Sequence, residues 1–182
     1  MQTFITFLRG VNMTGHNSVK MADLTLLYKN LGFIDAMTYI QSGNVIFKGF
    51  NDLAAPEIAL MIEKAILKRF NYIVPVMIRT VVEMRNFMSR NPFLSEENFD
   101  SSKMATILLY EKATEQQIQK VANIDYPPDK FKIAGKEIFI YCPNGFGRTK
   151  LYTNFFEKKM GITGTARNWK TITTILDIAE KK

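Results

Sequence analysis

Hydrophobic and polar positions follow two spacings along the first half of the chain, one typical of strands and one typical of helices. Strands are indicated by short runs rich in β-branched and aromatic residues, and helices by apolar residues that recur every three or four positions. Ser18 is a candidate helix cap, Gly32 a candidate helix end, and Pro56 suits the first turn of a helix. The pattern predicts strand 3–8, helix 21–31, strand 36–41, turn 42–44, strand 45–49, a helix from Pro56, and strand 74–81.

The second half repeats this order after a connecting helix at 84–91. Thr114 is a candidate helix cap there, and Gly161 a candidate helix end. The pattern predicts strand 104–110, helix 114–123, strands 131–134 and 137–141, helix 150–160, strand 163–168 and a terminal helix 169–179. The predicted fold class is therefore α/β, of the α+β type, with two ferredoxin-like β-α-β-β-α-β plaits and an added C-terminal helix.

The predicted domains are residues 1–82 for the first plait and 83–182 for the second plait with its terminal helix. The two halves share no obvious residue pattern, so the repeat rests on topology. The strands "ITFLR" and "VPVMI" are apolar at nearly every position, which is typical of strands buried on both faces. Burial of both faces argues against the RNA-recognition use of the plait, in which an open face offers aromatic rings to bases.

The predicted topology brings two polar segments together. In such a plait the first two strands are parallel and the third runs back between them, so the first two end at the same edge of the sheet. The loop 10–19 should therefore contact the turn 41–44. The candidate ligand-binding residues of this first rim are Arg9, Asn12, Lys20, Gln41, Ser42 and Asn44.

Charge is concentrated in one stretch near the C-terminal end. The chain has a net charge of +7, and residues 145–170 carry six Lys and Arg against one acidic residue, Glu157. A local basic patch favours an anionic partner. Solubility alone is the alternative explanation of the charge.

The glycine-rich segment "GFGRTK" begins this basic stretch and is predicted to lead directly into a helix at Lys150. Glycines let the backbone approach a ligand, and a helix start favours an anion. The spacing matches neither a nucleotide P-loop nor a Rossmann fingerprint. The last strand returns to the same edge, so the candidate ligand-binding residues here are Arg148, Thr149, Lys150, Arg167, Asn168 and Trp169. Alternatively, Arg167 and Asn168 pin the terminal helix and Trp169 lies in the core.

Several kinds of chemistry have little support in the sequence. One cysteine, Cys142, excludes an internal disulfide, and with a single histidine, His16, no His/Cys zinc site can form. We predict that Cys142 is buried and inert, that His16 is solvated, and that there is no metal or cofactor. No apolar run is long enough to span a bilayer, and the start has no basic leader typical of a signal peptide. A cytoplasmic protein without membrane contact is expected.

Eight short motifs resemble a known family in the same order along the chain. They are "LRGVN", "VKM..L", "LGF", "TYIQSGNVIF", "VPV..R", "NPF", "GFGRTKL" and "TARNWKT". This sequence resembles the bacterial family catalogued as domain of unknown function 1697. The resemblance implies a cytoplasmic protein built from two ferredoxin-like plaits, and it brings no established activity, cofactor or catalytic residue. Thr149 replaces the serine usual in the family, and "GVNMTG" replaces "GINVGG".

Three functional classes stay open from the sequence. The first is a module that binds an anion, either a phosphate-bearing small molecule or nucleic acid, at the basic glycine-rich segment. The second is a protein–protein interaction module. The third is an enzyme of unidentified reaction, which would need a general base or nucleophile near the basic segment.

Overall fold

The computed structural model describes residues 1–13, 17–50, 53–97 and 99–182. The prediction for His16 lies outside the described residues. The first series of elements is β1 (Gln2–Leu8), α1 (Met21–Asn30), β2 (Ile34–Tyr39), β3 (Asn44–Gly49), α2 (Ala55–Phe70), β4 (Val76–Thr80) and α3 (Val81–Ser89). The second is β5 (Met104–Leu109), α4 (Glu115–Gln119), β6 (Lys130–Ala134), β7 (Glu137–Tyr141), α5 (Thr153–Met160), β8 (Gly164–Asn168) and α6 (Trp169–Glu180).

Each series forms a four-stranded antiparallel sheet. The strand orders are β2-β3-β1-β4 and β6-β7-β5-β8. Because β1 and β2 both pair antiparallel with β3, they run parallel to each other and end at the same edge. The second sheet repeats this arrangement around β7. The predicted fold class, two ferredoxin-like plaits with an added C-terminal helix, is confirmed.

Local chemistry explains several helix ends. Asn71, in a left-handed conformation, ends α2, and Gly161 does the same for α5. Thr114 caps α4 as predicted, since its hydroxyl accepts from the Gln117 N–H at 3.3 Å. The predicted cap Ser18 is wrong, because α1 begins at Met21 with Lys20 at the N-cap position and no side-chain cap.

The face of each sheet that carries its helices forms an apolar core. In the first sheet, Phe4, Leu8 and Phe47 belong to a buried cluster with residues of α1 and α2. Its aromatic rings pack closely, with the Phe33 and Phe47 centroids 4.6 Å apart and the two rings tilted by 44°. In the second sheet, the corresponding cluster joins Ile107 and Ile138 of the strands to Phe156 of α5.

The strands are also buried on the opposite face. Ile5 and Phe7 alternate with the core residues of β1, and both have 0% exposure. In the second sheet, Leu108 and Phe139 are buried in the same way. The prediction of strands buried on both faces is thus confirmed.

The chain divides into two compact units, and the first unit contains residues from both ends of the chain. One unit contains Met1–Arg85 and Thr174–Lys182, and the other contains Asn86–Thr173. The predicted domain limits, 1–82 and 83–182, differ from this grouping because they keep the whole terminal helix with the second plait. Two contacts account for the difference: Arg85 pairs with Glu180, and the Lys182 ammonium donates to the Asp35 carbonyl.

The turn between β2 and β3 depends on a glycine. Gly43 has φ +72°, and its carbonyl accepts from the Leu8 N–H at 2.9 Å. A Cβ at this position would lie 2.4 Å from Val11 Cγ2 and 2.8 Å from Leu8 Cβ. Both the conformation and the space therefore require glycine.

We predict that Gly43→Ala lowers the free energy of unfolding by about 3 kcal/mol or more, since a left-handed alanine and overpacking add together. The matched control is Gly32→Ala, because Gly32 has φ +86° but nothing within 4 Å of an added Cβ. The control should lose only about 1–2 kcal/mol. Urea denaturation measures both, and equal losses would show that the contact with Val11 and Leu8 is unimportant.

Candidate functional site

The first rim forms as predicted. The Asn12 side-chain amide donates to the Gln41 carbonyl at 2.8 Å, which joins the loop after β1 to the turn between β2 and β3. The Leu8 N–H joins the same two segments through Gly43. The predicted contact between the loop and the turn is therefore confirmed for the described residues.

The asparagine side chains of this rim already have hydrogen-bond partners within the protein, most of them backbone groups. Asn12 donates to the Val19 carbonyl at 2.9 Å and accepts from the Val19 N–H at 2.8 Å, in addition to its bond to Gln41. The buried Asn44 donates to the Ser42 hydroxyl at 2.8 Å and to the Tyr39 carbonyl at 3.1 Å. These side chains satisfy polar backbone groups where the chain leaves the sheet.

Strained backbone accompanies these bonds. Asn12 has φ 53° and Ile40 has φ 52°. Asparagine tolerates this left-handed region, whereas a β-branched residue is an outlier there. Of the other predicted residues, Lys20 and Gln41 are exposed, and Arg9 is partly buried. Ligand binding by the first rim stays a prediction, while its role in holding two loops together follows from the contacts.

We predict that Asn12→Ala lowers the free energy of unfolding by about 2–4 kcal/mol, because three backbone groups lose their partner and the left-handed conformation disfavours alanine. Asn12→Gly is the matched variant, since it keeps the conformational freedom and loses only the hydrogen bonds. Its loss should be smaller by about 1 kcal/mol. Urea denaturation measures both, and unchanged stability in Asn12→Ala would contradict the structural role.

The second predicted group lies partly around a cavity of the second unit. This cavity has a volume of 310 Å³ and is lined by residues 125–129, Asn144, Gly145, Arg148 and Lys150. Gly145 has φ +82°, and an added Cβ would meet nothing within 4 Å, so a ligand can reach the main chain there.

The helix start predicted at Lys150 is wrong. A 3₁₀ helix occupies Phe146–Arg148, and α5 begins at Thr153 after the N-cap Tyr152. The Thr149 hydroxyl accepts from the Leu151 N–H at 3.0 Å and so shapes the turn. The cations of this segment therefore precede α5 and do not lie in its first turn.

Arg167 does not line this cavity. It lies on β8 opposite Thr106, whereas its neighbour Ala166 pairs with the core residue Ile107. Because side chains alternate along a strand, Arg167 lies on the face of the sheet away from the α5 core. Its guanidinium donates to the Thr165 hydroxyl at 2.8 Å and to the Ala166 carbonyl at 2.7 Å. Burial lowers the pKa of Arg167 to about 10, which leaves it cationic at neutral pH.

Asn168 and Trp169 have the structural roles that were the alternative to ligand binding: Asn168 holds the start of the terminal helix, and Trp169 lies in the core. The side-chain amide oxygen of Asn168 accepts from the Thr171 N–H at 2.7 Å at the start of α6. The Trp169 ring is buried and meets the Phe87 ring edge-on, with centroids 6.0 Å apart. Their binding of a ligand stays a prediction, but both side chains have structural partners.

The same junction occurs in the first plait. Arg79 is the penultimate residue of β4 and is buried, as Arg167 is in β8. Thr80 then accepts from the Glu83 N–H at 3.1 Å at the start of α3, as Asn168 does for α6. Each plait thus ends in a buried arginine, a capping residue and a helix. This shared pattern, which sequence inspection missed, supports the repeat with matching residues.

The cavity beside Lys150 combines both signs of charge. Asp125 and Asp129 line it together with Arg148 and Lys150. The Lys150 ammonium lies 5.1 Å from the centroid of the Tyr126 ring. In the described part of the chain, neither Arg148 nor Lys150 has a carboxylate within ion-pair distance. Two cations are therefore available at this surface.

Sequence reasoning missed the segment 125–129. Its residues, "DYPPD", supply two carboxylates and an aromatic ring to the cavity, and the peptide bond between Pro127 and Pro128 is cis. An aromatic residue and two prolines between acids indicate an ordered turn. That signal could have predicted the turn, but not its position beside residues 144–150.

Cys142 lies at the end of β7 with 0% exposure, so its predicted burial is confirmed. Burial raises the pKa of its thiol, and the nearby Asp129 carboxylate raises it further, while a hydrogen bond with Thr149 acts in the opposite direction. Thiolate is thus scarce at neutral pH, which disfavours nucleophilic chemistry.

We predict that a disulfide reagent labels Cys142 of the native protein at least about a hundredfold more slowly than in urea, because both access and thiolate are limited. The labelling rate is measured by absorbance of the released thiolate at pH 7.5, with the denatured chain as the control. Comparable rates in the two states would contradict the inert role.

Among residues 1–13, 17–50, 53–97 and 99–182, no group of three His, Cys, Asp or Glu side chains is arranged to hold a metal ion. Over the same ranges, no helix has the length and apolar character needed to cross a membrane.

Two antiparallel plaits with a cavity at one end of the second define a tandem ferredoxin-like α/β protein. The chain belongs to a family of proteins of unknown function, DUF1697, whose model matches residues 1–139. The match ends before Arg148 and Lys150. The resemblance of the later residues to the family therefore rests on the motifs "GFGRTKL" and "TARNWKT".

The chain is similar to a solved structure over nearly its whole length. It is described as the structure of conserved bacterial protein SP0830 from Streptococcus pneumoniae, with a TM-score of 0.74 and 19% identity over 98% of each chain. At that identity the similarity shows the fold alone. No curated protein matches the chain.

Proposed function

We propose that this protein binds an anionic, phosphate-bearing small molecule in the cavity lined by Arg148 and Lys150. The observation that carries the proposal is a cavity in which these two cations, without ion-pair partners in the described chain, accompany an open glycine backbone. Arginine can bind phosphate through two hydrogen bonds at once, and lysine adds a point charge. The volume of 310 Å³ lies at the lower end of the range typical of small-molecule sites.

The two carboxylates of the cavity favour a small ligand over nucleic acid. Asp125 and Asp129 balance the formal charge of Arg148 and Lys150. A polyanion would meet repulsion from these carboxylates along its backbone. A small ligand can instead direct its phosphate to the cations and its hydroxyl or amine donors to the carboxylates.

The rest of the basic stretch has other roles. Lys158 and Lys159 are exposed in the last turn of α5, where cations favour the negative end of the helix dipole. Arg167 is buried on β8. The proposed site therefore uses two of the six cations in residues 145–170.

We predict that inorganic phosphate raises the Tm of the protein at constant ionic strength. A tenfold excess over Kd stabilises the folded state by about 1.4 kcal/mol, equivalent to about 3–6 °C for a chain of this length. Arg148→Ala with Lys150→Ala should abolish this rise while leaving the Tm without phosphate nearly unchanged, because both side chains are exposed. Differential scanning fluorimetry measures both values.

The matched control is Lys158→Ala with Lys159→Ala, which removes the same charge from exposed positions outside the cavity lining. It should keep the full response to phosphate. A loss of response in both double variants would assign the effect to net charge. A response that survives Arg148→Ala with Lys150→Ala would place phosphate elsewhere. Binding of single-stranded DNA with a steep salt dependence would favour the nucleic-acid alternative.

A further inference from the structure

A larger cavity adjoins the proposed phosphate site. It has a volume of 550 Å³, and it shares Asp125, Tyr126 and Asp129 with the smaller cavity. It extends from the segment 125–129 between α4 with its following turn and the edge strand β6. The two cavities therefore meet along one segment of chain.

Somewhat more than half of the residues that line the larger cavity are apolar, and the others are Asn123, Asp125, Asp129, Lys130 and Lys132. Its apolar side chains come from α4 and the turn after it, from the shared segment and from β6. They are Ile118, Val121, Ile124, Tyr126, Phe131 and Ile133. Apolar and aromatic side chains together with a small number of polar groups are typical of sites that bind small molecules.

The charges around the larger cavity do not favour a second anionic group. Its cations are Lys130 and Lys132, and the Lys130 ammonium donates to the Glu96 carboxylate at 2.9 Å. Asp125 and Asp129 lie where the cavities meet. With Lys130 paired, the two carboxylates outweigh Lys132 in the larger cavity, so anion attraction is stronger at Arg148 and Lys150, which line the smaller cavity alone.

Tyr126 connects the polar and apolar parts. Its ring lies beneath the Lys150 ammonium and meets the Phe155 ring edge-on, with centroids 5.9 Å apart. The ring is therefore held between a cation and an aromatic side chain, and it lines both cavities. Such a ring suits contact with a planar or branched apolar group next to the phosphate.

We propose that the ligand is a phosphate monoester with an aromatic or branched apolar body, which occupies the larger cavity while its phosphate binds Arg148 and Lys150. This inference rests on the proposed function and specifies its class of ligand. Inorganic phosphate would then represent only one part of the ligand. Ile124, Tyr126 and Ile133 are assigned to recognition of its organic body.

The test compares four probes by isothermal titration with the full chain: inorganic phosphate, methyl phosphate, phenyl phosphate and 1-naphthyl phosphate. Each added ring removes apolar surface from water, so phenyl phosphate should bind at least about tenfold more tightly than methyl phosphate, and naphthyl phosphate more tightly still. Arg148→Ala should weaken all four probes.

Ala122→Trp is designed to fill the larger cavity without changing a charge. Ala122 is an exposed residue of the cavity lining, whereas Gln116 is exposed on α4 outside it. Ala122→Trp should remove the advantage of phenyl and naphthyl phosphate and leave the binding of inorganic phosphate unchanged. Gln116→Trp, the matched control, should leave all four affinities unchanged.

The outcomes separate this inference from the proposed function. If none of the probes binds, the proposed function fails and the inference fails with it. If inorganic phosphate binds through Arg148 but the aromatic esters bind no more tightly than methyl phosphate, the proposed function stands and the inference is overturned. An aromatic advantage that survives Ala122→Trp, or disappears equally in Gln116→Trp, also overturns the assignment to this cavity.

Discussion

The antiparallel pairing of one central strand with two parallel neighbours determines which segments of each plait can meet. In the first sheet, β3 holds β1 and β2 in parallel, so their ends and the loops that follow them share an edge. The close approach of Gly43 to Leu8 and Val11 fixes that edge. In the second sheet, β7 has the same role, and the segments 125–129 and 144–150 flank the end at which β7 finishes and β6 begins.

The two predicted groups of polar residues therefore differ in what their side chains do. Asn12 and Asn44 direct their amides to groups of the loop after β1 and of the turn between β2 and β3, which leaves little hydrogen-bonding capacity for a ligand. Arg148 and Lys150 instead line an open cavity. A polar cluster predicted from sequence can thus complete the fold in one place and provide a binding surface in another, depending on whether unsatisfied backbone groups lie nearby.

The order of elements, the strand pairing and the contact at the first rim could be predicted from periodicity and topology alone. The position of Arg167 could also have been predicted, because Ala166 and Arg167 must lie on opposite faces of β8. The start of α5 could not, since the 3₁₀ helix at 146–148 and the extended residues after it leave no periodic signal. Asp125 and Asp129 were missed for a similar reason: a turn built on two prolines has neither strand nor helix spacing.

The grouping of residues 174–182 with the first unit has a consequence for synthesis. All of the second unit, Asn86–Thr173, is translated before the last segment of the first unit is made. Chains elongate vectorially, and compact units generally fold as such when their residues become available. The ion pair of Arg85 with Glu180 and the bond from Lys182 to Asp35 can therefore form only after every residue of the second unit has been made. The unit that begins first along the chain is thus the last to have all of its residues.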